Sequence, residues 1–216
     1  MHAQVVDVSD RAQVRAYAAS VAEHFGMVNV IINNAGVTYS GPITDVEYDD
    51  FEWLMGINFW GVVYGTKEFL PYLIESGNGH IVNLSSLFGL VSVPTQAAYN
   101  SAKFAVRGFT ESVRQDLIVA GLPVAVTCVH PGGVKTGIAR NGRSTQGQDH
   151  HANSRRFEEE LARLTPDQAA QIIVKAIERD KPRVLVGIDA HILHNLAKFL
   201  GARYQGLYAK VASRSN

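Results

Sequence analysis

Short runs rich in Val and Ile alternate with longer stretches of helical periodicity along the whole chain. The apolar runs cover residues 3–6, 28–32, 80–84, 124–129 and 183–186. Because they are apolar on both of their alternating faces, they predict strands of a mostly parallel sheet buried under helices on either side. Between them lie helical patterns at residues 9–25, 48–76, 98–120, 166–179 and 191–211. Ser9 or Asp10 can cap the first and Gly26 can end it. The second is interrupted near Gly56, the third closes on Gly121-Leu122-Pro123, and the fourth follows Thr165 with a proline at its first position. Strand, helix, strand in regular alternation predicts an α/β fold with a doubly wound, Rossmann-like sheet in three layers.

Composition narrows this picture. The chain has 216 residues, 46% of them hydrophobic, which suits a single domain spanning residues 1–216 with a sizeable core. Basic and acidic residues balance at 20 each, so there is no electrostatic footprint for nucleic acid. The single cysteine, Cys128, lies in the apolar run VAVTCV; it has no partner for an internal disulfide, in keeping with a reducing compartment. The first ten residues lack the basic start and apolar stretch of a signal peptide, and no apolar run reaches the roughly 18 residues needed to cross a bilayer. The expectation is a soluble cytoplasmic protein without a transmembrane segment. The polar, glycine-containing stretch at residues 140–155 predicts a surface loop, and residues 140–165 as a whole are expected to form a substrate lid. His191 and His194, and the adjacent His150 and His151, have no third ligand at suitable spacing, so no metal is expected.

One segment carries unusual chemistry. Between residues 83 and 106 stand Ser86, Tyr99 and Lys103, the last two four apart on a predicted helix and therefore on one face. Three other motifs accompany it. NNAG, from Asn33 to Gly36, ends the strand at residues 28–32, and HPGGVKTGI, from His130 to Ile138, ends the strand at residues 124–129. Both are carboxyl ends, where open α/β sheets bind ligands. INFWG places Asn58 on the intervening helix.

In this order and spacing, with a serine thirteen residues before the tyrosine, the motifs resemble the short-chain dehydrogenase/reductase family from residue 5 to about residue 136. The resemblance implies that Tyr99 is the acid/base, Lys103 its partner, Ser86 the polariser of the substrate oxygen and Asn58 the support of a proton relay. It implies NAD or NADP as cofactor, with Asp7 and Val8 at the adenine, Asn34, Ala35 and Gly36 at the ribose side, and Pro131, Gly132, Val134 and Thr136 around the nicotinamide amide. It also implies a homodimer or homotetramer assembled through the helices at 48–76 and 98–120. The expected reaction is interconversion of a small alcohol and a carbonyl, the substrate being of apolar character.

The implied roles are chemically coherent. A free tyrosine has a pKa of about 10 and is a poor base at neutral pH. A neighbouring ammonium is expected to lower it. A serine hydroxyl aimed at a developing alkoxide contributes about 3 kcal/mol to lowering a barrier. Structural alternatives stand beside these roles: Asn58 as a helical side chain bonding main chain, Ser86 as a cap, and Asp7 as a charge near a helix start.

The family layout opens with a strand, a glycine-rich phosphate loop and a helix, but no G-x-x-x-G-x-G occurs in these residues. The first apolar run matches the family's third strand, so the sequence is expected to lack roughly the first fifty to sixty residues of that layout. The three-layer sandwich is then incomplete at its N-terminal side. Two explanations follow, a start at an internal methionine of a longer protein or a genuinely shortened relative. The residue that would choose NAD over NADP lies in the same segment, which leaves the preference unread. The shortened form raises a rival function, a non-catalytic scaffold or binding protein unable to hold cofactor. Phe157, Leu161 and Leu164 recur at helical spacing and can line a pocket or pack on the core. Ile192, Leu193, Leu196, Phe199, Leu200, Leu207, Tyr208 and Val211 form a stripe that predicts a helix face packed on the domain, with a lipid-like substrate, membrane or partner as the other reading.

Overall fold

The structure, a computed structural model, describes residues 1–145 and 162–213. Among the described residues, four parallel strands form the central sheet in the order β1-β3-β4-β6, namely β1 (Val30–Asn33), β3 (Gly79–Leu84), β4 (Val124–Pro131) and β6 (Arg183–Val186). In register, Ile31 faces Ile81 across the first ladder and Ile81 faces Val126 across the second. Side chains alternate across a strand, so successive apolar residues feed opposite cores. Ile81 and Val126 pack with Phe69, Leu73 and Leu117 on one side. Val82 and Val129 pack with Val184, Ala169 and Ala176 on the other. This is the doubly wound arrangement read from the sequence, and the two-sided burial explains why the strands lack polar alternation.

The helices begin and end where local chemistry directs. In α1 (Arg11–Phe25), Asp10 is the cap, accepting from the amides of Ala12 and Gln13, and Gly26 at φ 74° ends it. The predicted helix at 48–76 is α2 (Tyr48–Met55) and α3 (Gly61–Glu75), joined by a π-helical turn at Gly56–Trp60. α4 (Ala97–Val119) follows β3. α5 (Pro166–Ile177) starts with a full capping box, Thr165 and Gln168 each bonding the other's main chain. β2 (Tyr39–Ser40) and β5 (Arg143–Ser144) make a small parallel pair that no pattern announced.

Two expectations are corrected. Residues 3–6 form no strand: Val5 is exposed and none of the four pairs with the sheet. A strand exists only through its ladder, and no neighbour among the described residues supplies one. β1 is consequently an edge strand, and its Val30 and Ile32 are exposed on the face that no helix covers. The C-terminal helix expected at 191–211 is two, α6 (Ile188–Leu200) and α7 (Arg203–Ala212), because Gly201 at φ 54° breaks the run. Only part of its apolar stripe faces the domain: Leu193 and Ala197 pack on Leu87 and Val91, whereas Ile192, Leu196, Phe199 and Leu207 are exposed. Most of the expected lid, with Phe157 and Leu161, lies outside the described residues, while Leu164 packs on the α5 side of the sheet.

Candidate active site

Ser86, Tyr99 and Lys103 meet where β3 ends and α4 begins. β3 points its carboxyl end at this corner, and the chain turns through a short 3-10 helix, Leu87–Gly89. Ser86 is both at the corner and a cap, its hydroxyl accepting from the Phe88 amide at 3.1 Å. The neighbouring Ser85 has a different task, donating to the Lys103 carbonyl oxygen at 2.8 Å and tying α4 to the end of β3. Tyr99 and Lys103, one turn apart, are both buried. The Lys103 ammonium donates to the Leu84 carbonyl oxygen at 2.9 Å and sits 5.6 Å from the centre of the Tyr99 ring. Phe88 stands edge-on to that ring, and Tyr39, Ala98 and Ile138 join it in an apolar wall.

Burial governs the titration of this pair. The phenol of Tyr99 is raised above its ordinary value by desolvation, with the Ser86 hydroxyl pulling it partly back. Desolvation lowers the Lys103 ammonium to about 8. The expected depression of Tyr99 by the ammonium is therefore not what the site displays. The Lys103 amine is turned to the Leu84 carbonyl, and loss of water outweighs its attraction for a phenolate.

Asn58 is completely buried inside the π turn, where the widened backbone lets it project toward the end of β1. Its amide donates to the Val37 carbonyl and its oxygen accepts from the Val37 amide, both at 2.8 Å. The side chain thus clamps main chain, the structural alternative named above. The clamp also holds Gly36 at the site, since a β-carbon there would lie 3.2 Å from Asn58 Oδ1 and 3.6 Å from Lys103 Nζ.

Behind these residues runs a polar network that the sequence reading missed. Asn33 donates to Asn83 at 2.8 Å and to Thr66 at 3.2 Å, and Asn83 donates to Thr110 at 3.0 Å. It links β1, α3, β3 and α4 below the corner. Gly65 admits it, because a side chain there would collide with the Asn33 carboxamide.

The segment after β4 is held from beneath. Gly132 donates to the Val186 carbonyl at 2.8 Å and Gly133 to the Asp189 carboxylate at 2.7 Å. Asp189 fills the space a Gly132 side chain would need. Val134 bridges to Leu164, and Thr136 and Lys135 are exposed. Pro131 closes the strand. Neither Asp189 nor His130 was foreseen. His130 is fully buried, its Nδ1 2.9 Å from the Ser86 carbonyl oxygen. A carbonyl can only accept, so Nδ1 carries the proton. Burial lowers the imidazole to about 4 and keeps it neutral. The detectable signals were small: a histidine in an otherwise apolar strand, and an aspartate two residues after Gly187.

Asp7 is exposed and occupied locally, accepting from the Ser9 amide at 2.9 Å and the Ser9 hydroxyl at 2.7 Å. Val8 packs against Gly61 and, with Asn34 and Ala35, lines a groove running from β1 to α3. Val8 thus lines this groove beside Gly61, whereas Asp7 is engaged by Ser9. The described residues include no cluster able to hold a metal ion and no helix long and apolar enough to cross a membrane.

Comparison with known proteins identifies the family and the fold. The short chain dehydrogenase family model matches residues 1–147. A Mycobacterium tuberculosis protein bearing an oxidoreductase name, SadH, is 50% identical over 94% of this chain and 74% of its own length. Among solved structures, a short chain dehydrogenase/reductase from Burkholderia phymatum in complex with NAD has 29% identity and a TM-score of 0.84, over 93% of this chain and 75% of that one. A metagenomic short-chain oxidoreductase in complex with NADP has 26% identity and a TM-score of 0.66, over 86% of this chain and 73% of that one.

Proposed function

Because the chain belongs to the short-chain dehydrogenase family, we propose that it is an NAD- or NADP-dependent oxidoreductase acting on an alcohol or its carbonyl, with Ser86, Tyr99 and Lys103 as the working residues. The observation that carries this reading is the convergence of a buried phenol, a buried ammonium and a capping serine hydroxyl at one strand end. Related solved proteins bind NAD in one case and NADP in another, so either is kept.

The residues around the corner fit the reactive end of such a cofactor. Gly36 brings bare main chain beside Lys103 Nζ, and the groove lined by Val8, Asn34 and Ala35 continues from it. The segment from Pro131 to Thr136, braced by Asp189, would hold the nicotinamide side. When bound, a nicotinamide supplies or accepts a hydride at the substrate carbon. The chain's own residues handle the proton. In reduction, Tyr99 gives its phenolic proton to the substrate oxygen while the Ser86 hydroxyl donates a hydrogen bond to it. In oxidation the same proton returns to Tyr99 from the alcohol. A phenol raised by burial is protonated at neutral pH, which favours the reducing direction there. Lys103 supports reprotonation, being still largely charged below a pKa of about 8. The apolar wall of Phe88, Tyr39 and Ile138 favours an apolar substrate. The same reading includes a cytoplasmic homo-oligomer.

Tyr99→Phe tests it. Conversion of a panel of apolar alcohols and ketones is followed with each cofactor, alongside thermal unfolding and cofactor fluorescence titration. Turnover should fall by roughly 10²–10⁴-fold with the melting temperature little changed. Undiminished turnover in the folded variant refutes the role, and failure of the parent chain to bind either cofactor favours the scaffold reading.

A further inference from the structure

The last two helices present a surface that the site does not use. On α6, Ala190, Leu193 and Ala197 face Leu87 and Val91. Ile188, Ile192, Leu196 and Phe199 recur at intervals of three to four residues and so share the other face. All four are exposed, Phe199 at 89%. α7 buries none of its residues, and Leu207 is exposed on it as well. Tyr204 ties it to the domain, packing beside Leu193 and accepting a hydrogen bond from the Ser92 amide at 2.9 Å. Isolated exposed apolar residues are ordinary, but a row along one helix with a further exposed leucine on the next is not.

Charge says what fits there. From Ile188 to the end of the sequence stand Lys198, Arg203, Lys210 and Arg214 and one carboxylate, Asp189, which is turned to the Gly133 amide, in a chain whose formal charge is zero. Apolar side chains bordered by cations match the interface of an anionic bilayer, where phosphates lie above acyl chains. A second copy meeting this one on the same face fits poorly, because a two-fold contact would set like charges together while the single carboxylate of these helices, Asp189, is taken up by the Gly133 amide. We propose that α6 and α7 form a docking surface for an anionic phospholipid membrane, entered by Phe199, Ile192, Leu196 and Leu207 with Lys198, Arg203 and Lys210 at the headgroups. The hydrogen bond from Ser92 to Tyr204 places this surface against the loop that leads back to Ser86. The docking stands independently of the oxidoreductase reading.

Vesicle flotation of the purified full chain tests it, using phosphatidylcholine alone and phosphatidylcholine with about one-third phosphatidylglycerol. Binding is expected to the anionic vesicles, and to weaken between about 0.01 M and about 1 M salt as screening sets in. Changing Lys198, Arg203 and Lys210 together to glutamine should weaken binding roughly 100-fold, at about 5-fold per residue. The pair Phe199→Ser and Leu207→Ser should abolish it, with circular dichroism and melting temperature showing that these exposed sites leave the fold intact. Absence of flotation by the parent chain overturns the proposal, as does unchanged flotation of either folded variant. A parent that stays off vesicles but loses an oligomer on the Phe199 and Leu207 changes assigns the surface to a protein contact instead, which also overturns it.

Discussion

Replacing Asn58 with alanine removes both arms of the clamp on Val37 while leaving the π turn free of new bulk. Each arm is a 2.8 Å hydrogen bond to main chain, and Asn58 itself has no exposure. An unpaired buried donor or acceptor costs about 1–3 kcal/mol. Val37 is only half-buried, so water can reach its amide and carbonyl in part, and the lower half of that range applies to each. The expected loss is about 3 kcal/mol, which lowers the melting temperature by about 9 °C in a chain of this size. Urea unfolding followed by circular dichroism reads the loss directly. Asn58→Asp sharpens the test. Its carboxylate still accepts from the Val37 amide but repels the Val37 carbonyl, so it should be destabilised more at pH 7 than at pH 4, where the protonated acid can donate. Turnover should fall in both variants, because Gly36 would no longer be held beside Lys103 Nζ. A loss under about 1 kcal/mol in Asn58→Ala, or an Asn58→Asp variant insensitive to pH, would show that the clamp does not hold this segment.

The adjacent serines should separate by readout. Ser85→Ala loses the bond to the Lys103 carbonyl and should cost about 1 kcal/mol of stability in urea unfolding, while Ser86→Ala should lower kcat roughly 10²–10³-fold; equal effects of the two on turnover would contradict the assignment. His130 should make the fold acid-sensitive. Its folded pKa of about 4 lies below the ordinary 6.5, so the unfolded chain binds the extra proton and stability falls as pH drops from 6.5 toward 4, by about 3 kcal/mol in all. Urea midpoints across that range should slope accordingly, and His130→Leu should remove most of the slope, leaving a smaller part from His80, which burial also lowers. Gly65→Ala should destabilise by about 1–3 kcal/mol through collision with Asn33, measurable by thermal unfolding, and a neutral result would mean that the Asn33–Asn83–Thr110 network is free to shift.

Much of this molecule can be read from local pattern. Fully apolar strand runs alternating with capped helices specify a two-faced parallel sheet, since no other layer arrangement buries both sides of residues 80–84 and 124–129. Asp10 and the Thr165–Gln168 box act within a few residues, so the helix starts were legible. Spacing alone put Tyr99 and Lys103 on one helix face, and periodicity that ends in NNAG and HPGGV marked the strand ends that converge on them.

Everything that depends on a partner distant in the chain had to wait for the fold. Residues 3–6 have the composition of a strand but lack a ladder, so pairing rather than propensity decided against one. The direction of the Tyr99 shift follows from burial and from the Leu84 carbonyl that holds Lys103, neither of which spacing encodes. Asn58 meets Val37 across 21 residues, and Asp189 meets Gly133 across 56. The helical stripe of α6 and α7 identified apolar residues correctly, but Gly201 divided it and packing chose which side faced water. Sequence determined the elements and the types of residue at their ends, because those rest on periodicity and short-range hydrogen bonds; tertiary structure decided exposure, protonation and which main-chain groups each polar side chain holds, because those are set by whatever the fold brings alongside.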